Sequence, residues 1–347
     1  MSQSLRDRIF SKPADPQMDC PLFRILPAEV RDEIFSYALT DHPDPTPSQQ
    51  FKEKTCYVRP SYLSAQSTDT RLLRTCRAIY RETWFKPYTL REHTQWISSL
   101  DRAPPTFGMT SGKHLDRTLW RIARQLGQKR VEVERLRVFA QMYKLEEGDL
   151  AFMLRKAEFV PRTVTLTIRH TDWWYWENDD PLSFKGDWIT DVSRAMTSST
   201  NQFCIELESL ERKKDQVDKI ADQMIKKWFF KRPDGVVLYA EASGKSIKTS
   251  RWRGSSIWHG QRWIRDETEP EKLDYYIVSV TFRPKIEIER NGGTIDKSVL
   301  RSAQEEKHFF EELCIPGQGR IEDDQPFMWW ADNSSENDEM VCSIGFD

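Results

Sequence analysis

The sequence predicts a chain of mixed α and β structure (α+β or α/β), in which a small N-terminal helical unit precedes an irregular α/β body. Apolar residues that recur every fourth position after Leu26 predict the helical unit. Beyond Gly127, short segments of alternating apolar residues are interleaved with helical patterns, which predicts a parallel or mixed sheet. These segments are unevenly spaced, so the body is predicted to be leucine-rich-repeat-like or a mixed sheet, without a regular repeat.

The first helix is predicted over residues 22–39. Pro27 suits the first turn of a helix, because the N–H group that it lacks would have no helical partner there. The apolar stripe consists of Leu26, Val30, Ile34 and Ala38, and the side chains beside it are Phe35 and Leu39. Such a narrow stripe cannot form a core by itself, so it must pack against another element or bind another protein.

The remaining elements follow from periodicity and from turn residues. Three prolines in 41–47 end the first helix, and 48–68 is predicted to be an exposed loop with a short strand at Tyr57-Val58. Further helices are predicted at 70–90, 113–126, 150–156 and 211–230. Strands are predicted at 135–140, 162–170, 203–207, 236–239 and 275–282.

The charge of the chain is nearly balanced but unevenly distributed. Lys and Arg number 52 and Asp and Glu 54, a net charge of −2, which argues against a dedicated nucleic-acid-binding protein. Residues 316–347 contain eight acidic residues and one basic residue, so this segment carries −7 and the rest of the chain +5. A segment of this composition, which also holds Pro, Gly, Asn and Ser, is expected to be a flexible acidic tail.

The length of 347 residues fits two or three domains. The predicted boundaries are a disordered tail at 1–20, a helical unit at 21–90 with a long inserted loop at 41–69, a connecting helical segment at 91–130, the α/β body at 131–315 and the acidic tail at 316–347. We expect no signal peptide and no membrane span, because no apolar run of sufficient length occurs. The six cysteines form no CxxC pair, which favours a cytoplasmic or nuclear protein with reduced thiols.

The N-terminal segment resembles the F-box-like domain that is common in fungal proteins. The resemblance rests on two motifs, LPAEVRDEIF at 26–35 and LLRTCR at 72–77. The remainder resembles fungal F-box-like proteins of largely unassigned activity, through TLTIRHTDWWYWE at 165–177 and WHGQRWIRDE at 258–267. The loop at 41–69 is longer than in a standard F-box, and Ile79 or Tyr80 stands where a tryptophan is common.

The resemblance implies a non-catalytic, substrate-recruiting subunit of a cullin-RING (SCF-type) ubiquitin ligase. F-box domains bind a Skp1-like adaptor, and the attached domain binds the client protein. The adaptor-binding residues implied by the match are Leu26, Pro27, Val30, Ile34 and Phe35. The alternative is a scaffold without a ligase link, in which the same stripe packs internally and the helices are only a structural cap.

Two tryptophan-rich segments in the body are candidates for binding an unknown protein client. Their residues are Trp173, Trp174 and Trp176, followed by Trp258, Arg262 and Trp263. The alternatives are that these tryptophans cap the sheet, or that the arginines stack on them within a β-hairpin. Mixed Trp and Arg can also bind single-stranded nucleic acid, which the near-zero net charge disfavours.

Catalytic and metal motifs are weak, so we expect no enzyme activity, metal or cofactor. His259 with Asp266 and Glu267, or His170 with Asp172, could form acid–base sets, but neither has a recognisable nucleophile. No Cys/His spacing predicts zinc. The helix at 211–232 has eight basic residues and four acidic ones, so the acidic tail could fold back on it.

Overall fold

The computed structural model describes residues 5–46, 64, 66–99, 102–103, 110–156, 159–244, 247–258, 261–305 and 310–317. Within these residues the helices are α1 (Leu5–Phe10), α2 (Pro21–Arg24), α3 (Ala28–Leu39), α4 (Arg77–Thr83), α5 (Lys86–Thr89), α6 (Thr110–Leu126), α7 (Met142–Glu146), α8 (Asp149–Leu154), α9 (Trp188–Ala195), α10 (Lys214–Lys227), α11 (Lys285–Arg290) and α12 (Lys297–Gln304). The expected strand at Tyr57-Val58 and the acidic tail beyond Gly317 lie outside the described residues.

The strands are β1 (His42–Pro43), β2 (Gln66–Ser67), β3 (Glu92–Ile97), β4 (Val131–Ala140), β5 (Phe159–Ile168), β6 (Ser183–Phe184), β7 (Gln202–Leu210), β8 (Phe230–Lys231), β9 (Val237–Ala240), β10 (Ile247–Ser255), β11 (Ile257–Trp258), β12 (Gln261–Arg262), β13 (Lys272–Pro284) and β14 (Leu313–Cys314). Eight of them form one mixed sheet in the order β3-β4-β5-β7-β13-β9-β8, with β10 also paired to β13. This sheet confirms the predicted mixed α/β architecture.

One half of the sheet is parallel and consists of β3, β4, β5 and β7. Val164, Leu166 and Ile168 of β5 are fully buried, as their alternation predicted. Thr165 and Thr167 on the opposite face of β5 are buried as well. Strands in parallel sheets are commonly covered on both faces, so the polar face of β5 is interior too.

The other half of the sheet is antiparallel and is centred on β13, the longest strand. β7 lies along one side of β13, and β10 and β9 follow one another along its other side. α10 packs on β7 and β13, where Val217, Ile220 and Met224 are buried. A leucine-rich-repeat-like body, which would stack parallel strands throughout, is not confirmed.

The predicted helix at 70–90 is divided into three short pieces. A 3-10 turn at Arg71–Arg74 precedes α4, and α5 follows α4 after a break. The Cys76 side chain caps α4 by accepting the Ile79 N–H. Pro87 lies in the first turn of α5 and does not end the helix, because proline is tolerated where no helical N–H partner exists.

Two predictions about the N-terminal third need correction. Residues 5–10 form α1, and the segment 1–20 is not simply a disordered tail, because Arg77 and Arg81 donate hydrogen bonds to the Pro13, Phe10 and Lys12 carbonyls. The segment 91–130 is not only helical, since β3 forms the edge of the main sheet beside β4. The sequence of β3, EHTQWI, has no clear apolar alternation, which is why its strand was not predicted.

Candidate protein-binding site

An exposed apolar ridge runs along α3 and the turn before it. Val30 is 40% exposed, Ile34 42% and Tyr37 78%, and Ile25 just before the helix is exposed too. At about 100° per residue, Val30, Ile34 and Tyr37 lie within roughly 60° of one another around the helix axis. A narrow ridge of this kind is what an amphipathic helix presents to a groove in a partner protein.

The opposite side of α3 faces the interior of the protein. Phe35 is 1% exposed and Leu39 is fully buried, and α3 packs against α4 and α5. Phe35 lies about 140° from Val30 around the helix, so the two side chains cannot serve the same surface. The assignment of Phe35 to the adaptor-facing set is therefore wrong, and the exposed aromatic of this helix is Tyr37.

The remaining residues of the implied adaptor-binding set lie at the start of the ridge. Leu26 is half-buried and Pro27 is exposed. Pro27 is the N-cap of α3 in extended conformation, one residue before the helical turn in which it was expected. Tyr37, which the motif does not include, could have been found from the sequence, because it is three residues after Ile34.

Arg31 fixes the orientation of α3 relative to α4. Its guanidinium donates to both carboxylate oxygens of Glu82, at 3.2 Å from Nε and 2.9 Å from Nη2, and also to the Leu26 carbonyl at 2.9 Å. The hydrogen bond to Glu82 raises the pKa of Arg31 above its ordinary value. The guanidinium also lies 5.0 Å from the centre of the Phe23 ring. A bidentate pair of this kind restricts rotation about the helix axis, which keeps Val30 and Ile34 outward.

Two further contacts connect this helical unit to its surroundings. The buried Lys86 of α5 lies 2.8 Å from the Asp32 carboxylate and donates to the Ser36 hydroxyl at 2.8 Å. Asp41, just after α3, pairs with Arg135 of β4 and accepts the Glu92 N–H of β3. These contacts tie α3 to the edge of the main sheet. The base of the loop that follows is closed by pairing of β1 with β2.

The first tryptophan-rich segment is largely interior. Trp173 and Trp176 are buried, and the Trp173 indole donates to the Glu208 carbonyl at 2.8 Å. Trp174 is half-buried and donates to Glu146 at 2.8 Å. Trp173 and Trp176 are therefore part of the core and do not line an exposed client surface, which corrects that prediction. Tyr175, which was not predicted, is the exposed aromatic of this segment.

The second tryptophan-rich segment is held by internal pairs. Trp263 packs on Trp176 with ring centres 4.8 Å apart. Arg262 is exposed and donates to Glu267 at 2.7 and 2.8 Å, and hydrogen bonds from Arg262 and Ser256 lower the pKa of Glu267 to about 2. The side chain of Trp258 lies outside the described residues. In β10, Trp252 stacks on Tyr275 of β13 with ring centres 4.4 Å apart.

Charged groups cluster where β5 and β7 end, but they are paired with one another. Asp172 accepts from the Arg169 guanidinium at 2.6 and 2.9 Å, and neither ring nitrogen of His170 donates to it. Asp266 accepts from Arg212 and Arg265. Burial opposes ionisation of Asp179, but Arg212 and Lys213 outweigh it and lower its pKa to about 2. The set of His170 with Asp172 is therefore not assembled, and His259 of the other set lies outside the described residues.

A cleft of about 790 Å³ lies between the N-terminal helices, β3 and α6. Tyr80, Trp84 and Tyr88 contribute aromatic surface to it, and Arg91 and Arg121 contribute positive charge. The carboxylates of Asp41 and Glu92 also line the cleft, and each is paired with an arginine of β4. Such a combination suits a ligand that is both apolar and anionic. The cleft is separate from the ridge on α3, because none of the ridge residues lines it.

The described part of the chain holds neither a metal-binding cluster nor a membrane-spanning helix. No group of three or more His, Cys, Asp or Glu residues is close enough to hold a metal ion there. None of the helices in those residues is both long and apolar enough to cross a membrane. Comparisons with protein-family models, with curated proteins and with solved structures found no match to this chain.

Proposed function

We propose that this chain is a non-catalytic, substrate-recruiting subunit of a cullin-RING ubiquitin ligase that binds a Skp1-like adaptor through the ridge on α3. The observation that carries the proposal is the division of α3 into two faces. Phe35 and Leu39 anchor the helix internally, while Val30, Ile34 and Tyr37 remain exposed in a line. Exposed apolar side chains in a contiguous row are costly to leave in water unless a partner covers them.

Of the F-box-like motif at 26–35, Pro27, Val30 and Ile34 are exposed, whereas Phe35 is buried. Ile25 extends the ridge beyond Val30 toward the N-terminal side, so the apolar surface is longer than the helix alone supplies. Tyr37 provides an aromatic side chain of the type that often dominates binding energy at interfaces. The ligase would supply the chemistry, and this chain would supply proximity to the client.

A scaffold without a ligase link is the second candidate. The burial of Phe35 and Leu39 and the ion pairs of Arg31 and Lys86 favour it, because they give the helices a structural role whether or not an adaptor binds. The two candidates differ in one respect that can be measured. Only the ligase subunit binds a Skp1-like adaptor through Val30 and Ile34.

Co-purification with a Skp1-like adaptor tests the proposal. We expect the full chain to retain the adaptor, and Val30→Asp with Ile34→Asp to weaken binding at least about 30-fold, the equivalent of roughly 2 kcal/mol. The matched control is Ile286→Asp on α11, a comparably exposed apolar residue elsewhere on the surface, which should bind normally. Circular dichroism checks that each variant is folded.

Two outcomes would reject the ligase role. In one, the unmodified chain never retains the adaptor. In the other, the doubly substituted chain retains it as well as the Ile286 control does. Either result leaves the scaffold as the better description of the N-terminal helices.

A further inference from the structure

The outward face of α6 carries an unusual concentration of exposed positive charge. Arg117, Arg121 and Arg124 recur at helical spacing on it, and Lys129 and Arg130 follow just after the helix ends. Trp120 lies among them and is 50% exposed, with the Arg124 guanidinium 4.8 Å from its ring centre. We call these six residues the α6 basic face.

None of the five cations on the α6 basic face forms an ion pair with any residue that the structure describes. The acidic residue of this helix, Asp116, pairs instead with Lys156. Segment 91–130 contains eight basic and three acidic residues, a net charge of +5. That excess equals the net charge of residues 1–315.

The basic helix α10 differs from α6 in this respect. Six of the eight cations in 211–232 lie within ion-pair distance of carboxylates: Arg212, Lys213, Lys214, Lys226, Lys227 and Arg232. Their charge is therefore largely neutralised within the folded chain. The electrostatic basis for an acidic tail that folds back on this helix is therefore weaker than the basis for its binding to α6.

Residues 318–347 have the complementary chemistry. They contain eight acidic residues and one basic residue. An aromatic group, Phe327-Met328-Trp329-Trp330, is flanked by Glu322, Asp323 and Asp324 on one side and by Asp332 on the other. The α6 basic face has the reverse arrangement, a tryptophan with cations on both sides, and it adjoins the aromatic and arginine-lined cleft through Arg121.

We propose that residues 318–347 bind the α6 basic face, with their aromatic group in the cleft lined by Tyr80, Trp84 and Tyr88. Acidic side chains on both sides of that group contact Arg117, Arg121 and Arg124. Charge complementarity supplies the orientation, and burial of aromatic surface supplies much of the free energy. This contact does not depend on adaptor binding by α3.

The distance between the two segments permits the contact. The last described residue before the segment is Gly317, close to α10 through the hydrogen bond of Gln223 to the Cys314 carbonyl. Phe327 is ten residues beyond Gly317 and can lie up to about 35 Å from it, and Asp347 can lie up to about 100 Å from it. A domain of about 300 residues has a radius of gyration of roughly 19 Å, so the reach of Phe327 is nearly twice that radius.

The test uses the full chain and a fluorescent peptide of residues 318–347, with binding measured by anisotropy. The unmodified chain is compared with a full-length variant whose own tail acids are neutralised by Glu322→Gln, Asp323→Asn, Asp324→Asn and Asp332→Asn. We expect the peptide to bind the neutralised variant at least about tenfold more tightly, because the native tail occupies the site in the unmodified chain. Salt at about 1 M should weaken binding, because it shortens the screening length to roughly 3 Å and leaves only the apolar contribution.

Charge reversal then locates the site. In the neutralised variant, Arg117→Glu, Arg121→Glu and Arg124→Glu together should weaken peptide binding at least about tenfold. The matched control is Arg290→Glu, Lys297→Glu and Arg301→Glu, which makes the same charge change on exposed residues of α11 and α12. That control should change binding less than about threefold, since long-range charge effects are screened at physiological salt.

Three results would overturn the proposal. In the first, the peptide fails to bind at low salt. In the second, the two charge reversals weaken peptide binding equally. In the third, the peptide binds the unmodified and neutralised chains with the same affinity. If the peptide fails to bind and a single-stranded RNA oligonucleotide binds in a manner that depends on Arg117, Arg121 and Arg124, the face belongs to nucleic acid. Circular dichroism of each variant ensures that loss of binding is not loss of fold.

Discussion

At the scale of single residues, His170 shows how strongly burial in the fold can change the protonation of a side chain. Its imidazole is fully buried between the rings of Trp176 and Tyr275, and neither ring nitrogen has a hydrogen-bond partner among the described residues. Burial lowers the pKa of His170 to about 3, although Asp266 opposes the shift. Burial likewise lowers the pKa of His93 to about 4, against a hydrogen bond to the Tyr88 carbonyl.

These two histidines predict a loss of stability in mild acid. Both stay neutral in the folded chain, whereas the unfolded chain takes up protons below about pH 6.5. Their stabilising effect is therefore complete above that pH and is lost as the pH falls toward the folded-state values. Between pH 7 and pH 5, protonation of each histidine in the unfolded chain should lower the free energy of unfolding by about 2 kcal/mol. Urea titration at the two pH values measures this decrease.

The variant His170→Phe separates the two contributions. It should remove about half of the loss between pH 7 and pH 5, because His93 still titrates. The carboxylates whose pKa values lie near 2 do not interfere, since they titrate below this window. A variant with the same pH dependence as the unmodified chain would mean that His170 is protonated in the folded state.

At the scale of one element, one face of α3 is buried against the protein interior and the other is exposed to solvent. Phe35 and Ile34 are neighbours in sequence and lie in opposite environments. Phe35→Ala removes a buried ring and should lower the free energy of unfolding by about 3–5 kcal/mol. Ile34→Ala should lower it by less than about 1 kcal/mol, because the side chain is already partly in water.

Urea titration of both variants, followed by tryptophan fluorescence, measures this difference. Tyr37→Ala is the control for loss of an aromatic ring at an exposed position and should behave like Ile34→Ala. Equal destabilisation by the Phe35 and Ile34 substitutions would contradict the division of α3 into an internal and an external face. It would also remove the basis for reading the external face as a binding surface.

The polar face of the parallel strands is held together by a charged network that spans β3, β4, β5 and β7. Arg137 of β4 contacts Glu206 of β7 and Glu92 of β3, and it donates to Thr167 of β5. All four strands of the parallel half are therefore linked through one guanidinium. Desolvating these charges is costly, so each partner is needed to compensate the others.

At the scale of the whole molecule, the N-terminal helices and the sheet form a connected structure. Asp41 bridges the end of α3 to β3 and β4, and Trp84 and Phe85 pack against the main core. α5 also contacts β4 directly. The sequence motif suggested a separable unit, but these contacts connect it to the body through ion pairs and apolar packing.

This connection predicts that the described chain unfolds as one cooperative unit. Hydrogen exchange in increasing urea should show the amides of α3 and β5 losing protection at the same denaturant concentration. Asp41→Asn, which weakens the bridge to Arg135, should allow α3 to exchange at lower urea than β5. Loss of α3 protection well before β5 in the unmodified chain would mean that the helical unit is an independent domain.

The sequence by itself determined the main elements and the class of the fold. Apolar residues alternate strongly in β5 and β13 and recur at helical spacing in α3, α6 and α10. These patterns were sufficient to predict the elements, because backbone geometry determines how often a side chain returns to the buried face. Strands β3 and β10 were not predicted, since polar residues fill them and their pairing depends on neighbours distant in the chain. The break between α4 and α5 lies just before Pro87, which has no N–H to donate to the Thr83 carbonyl four residues earlier.

Only the tertiary structure decided which predicted site residues are available to another molecule. Trp173, Trp176 and Phe35 look like binding residues in a one-dimensional pattern and are buried in the fold. Three of the four basic residues of α10 are paired with carboxylates, whereas Arg117, Arg121 and Arg124 of α6 have no ion pair among the described residues. Residue type sets what a side chain can do, but its exposure and its charge partners come from chain segments far away in sequence.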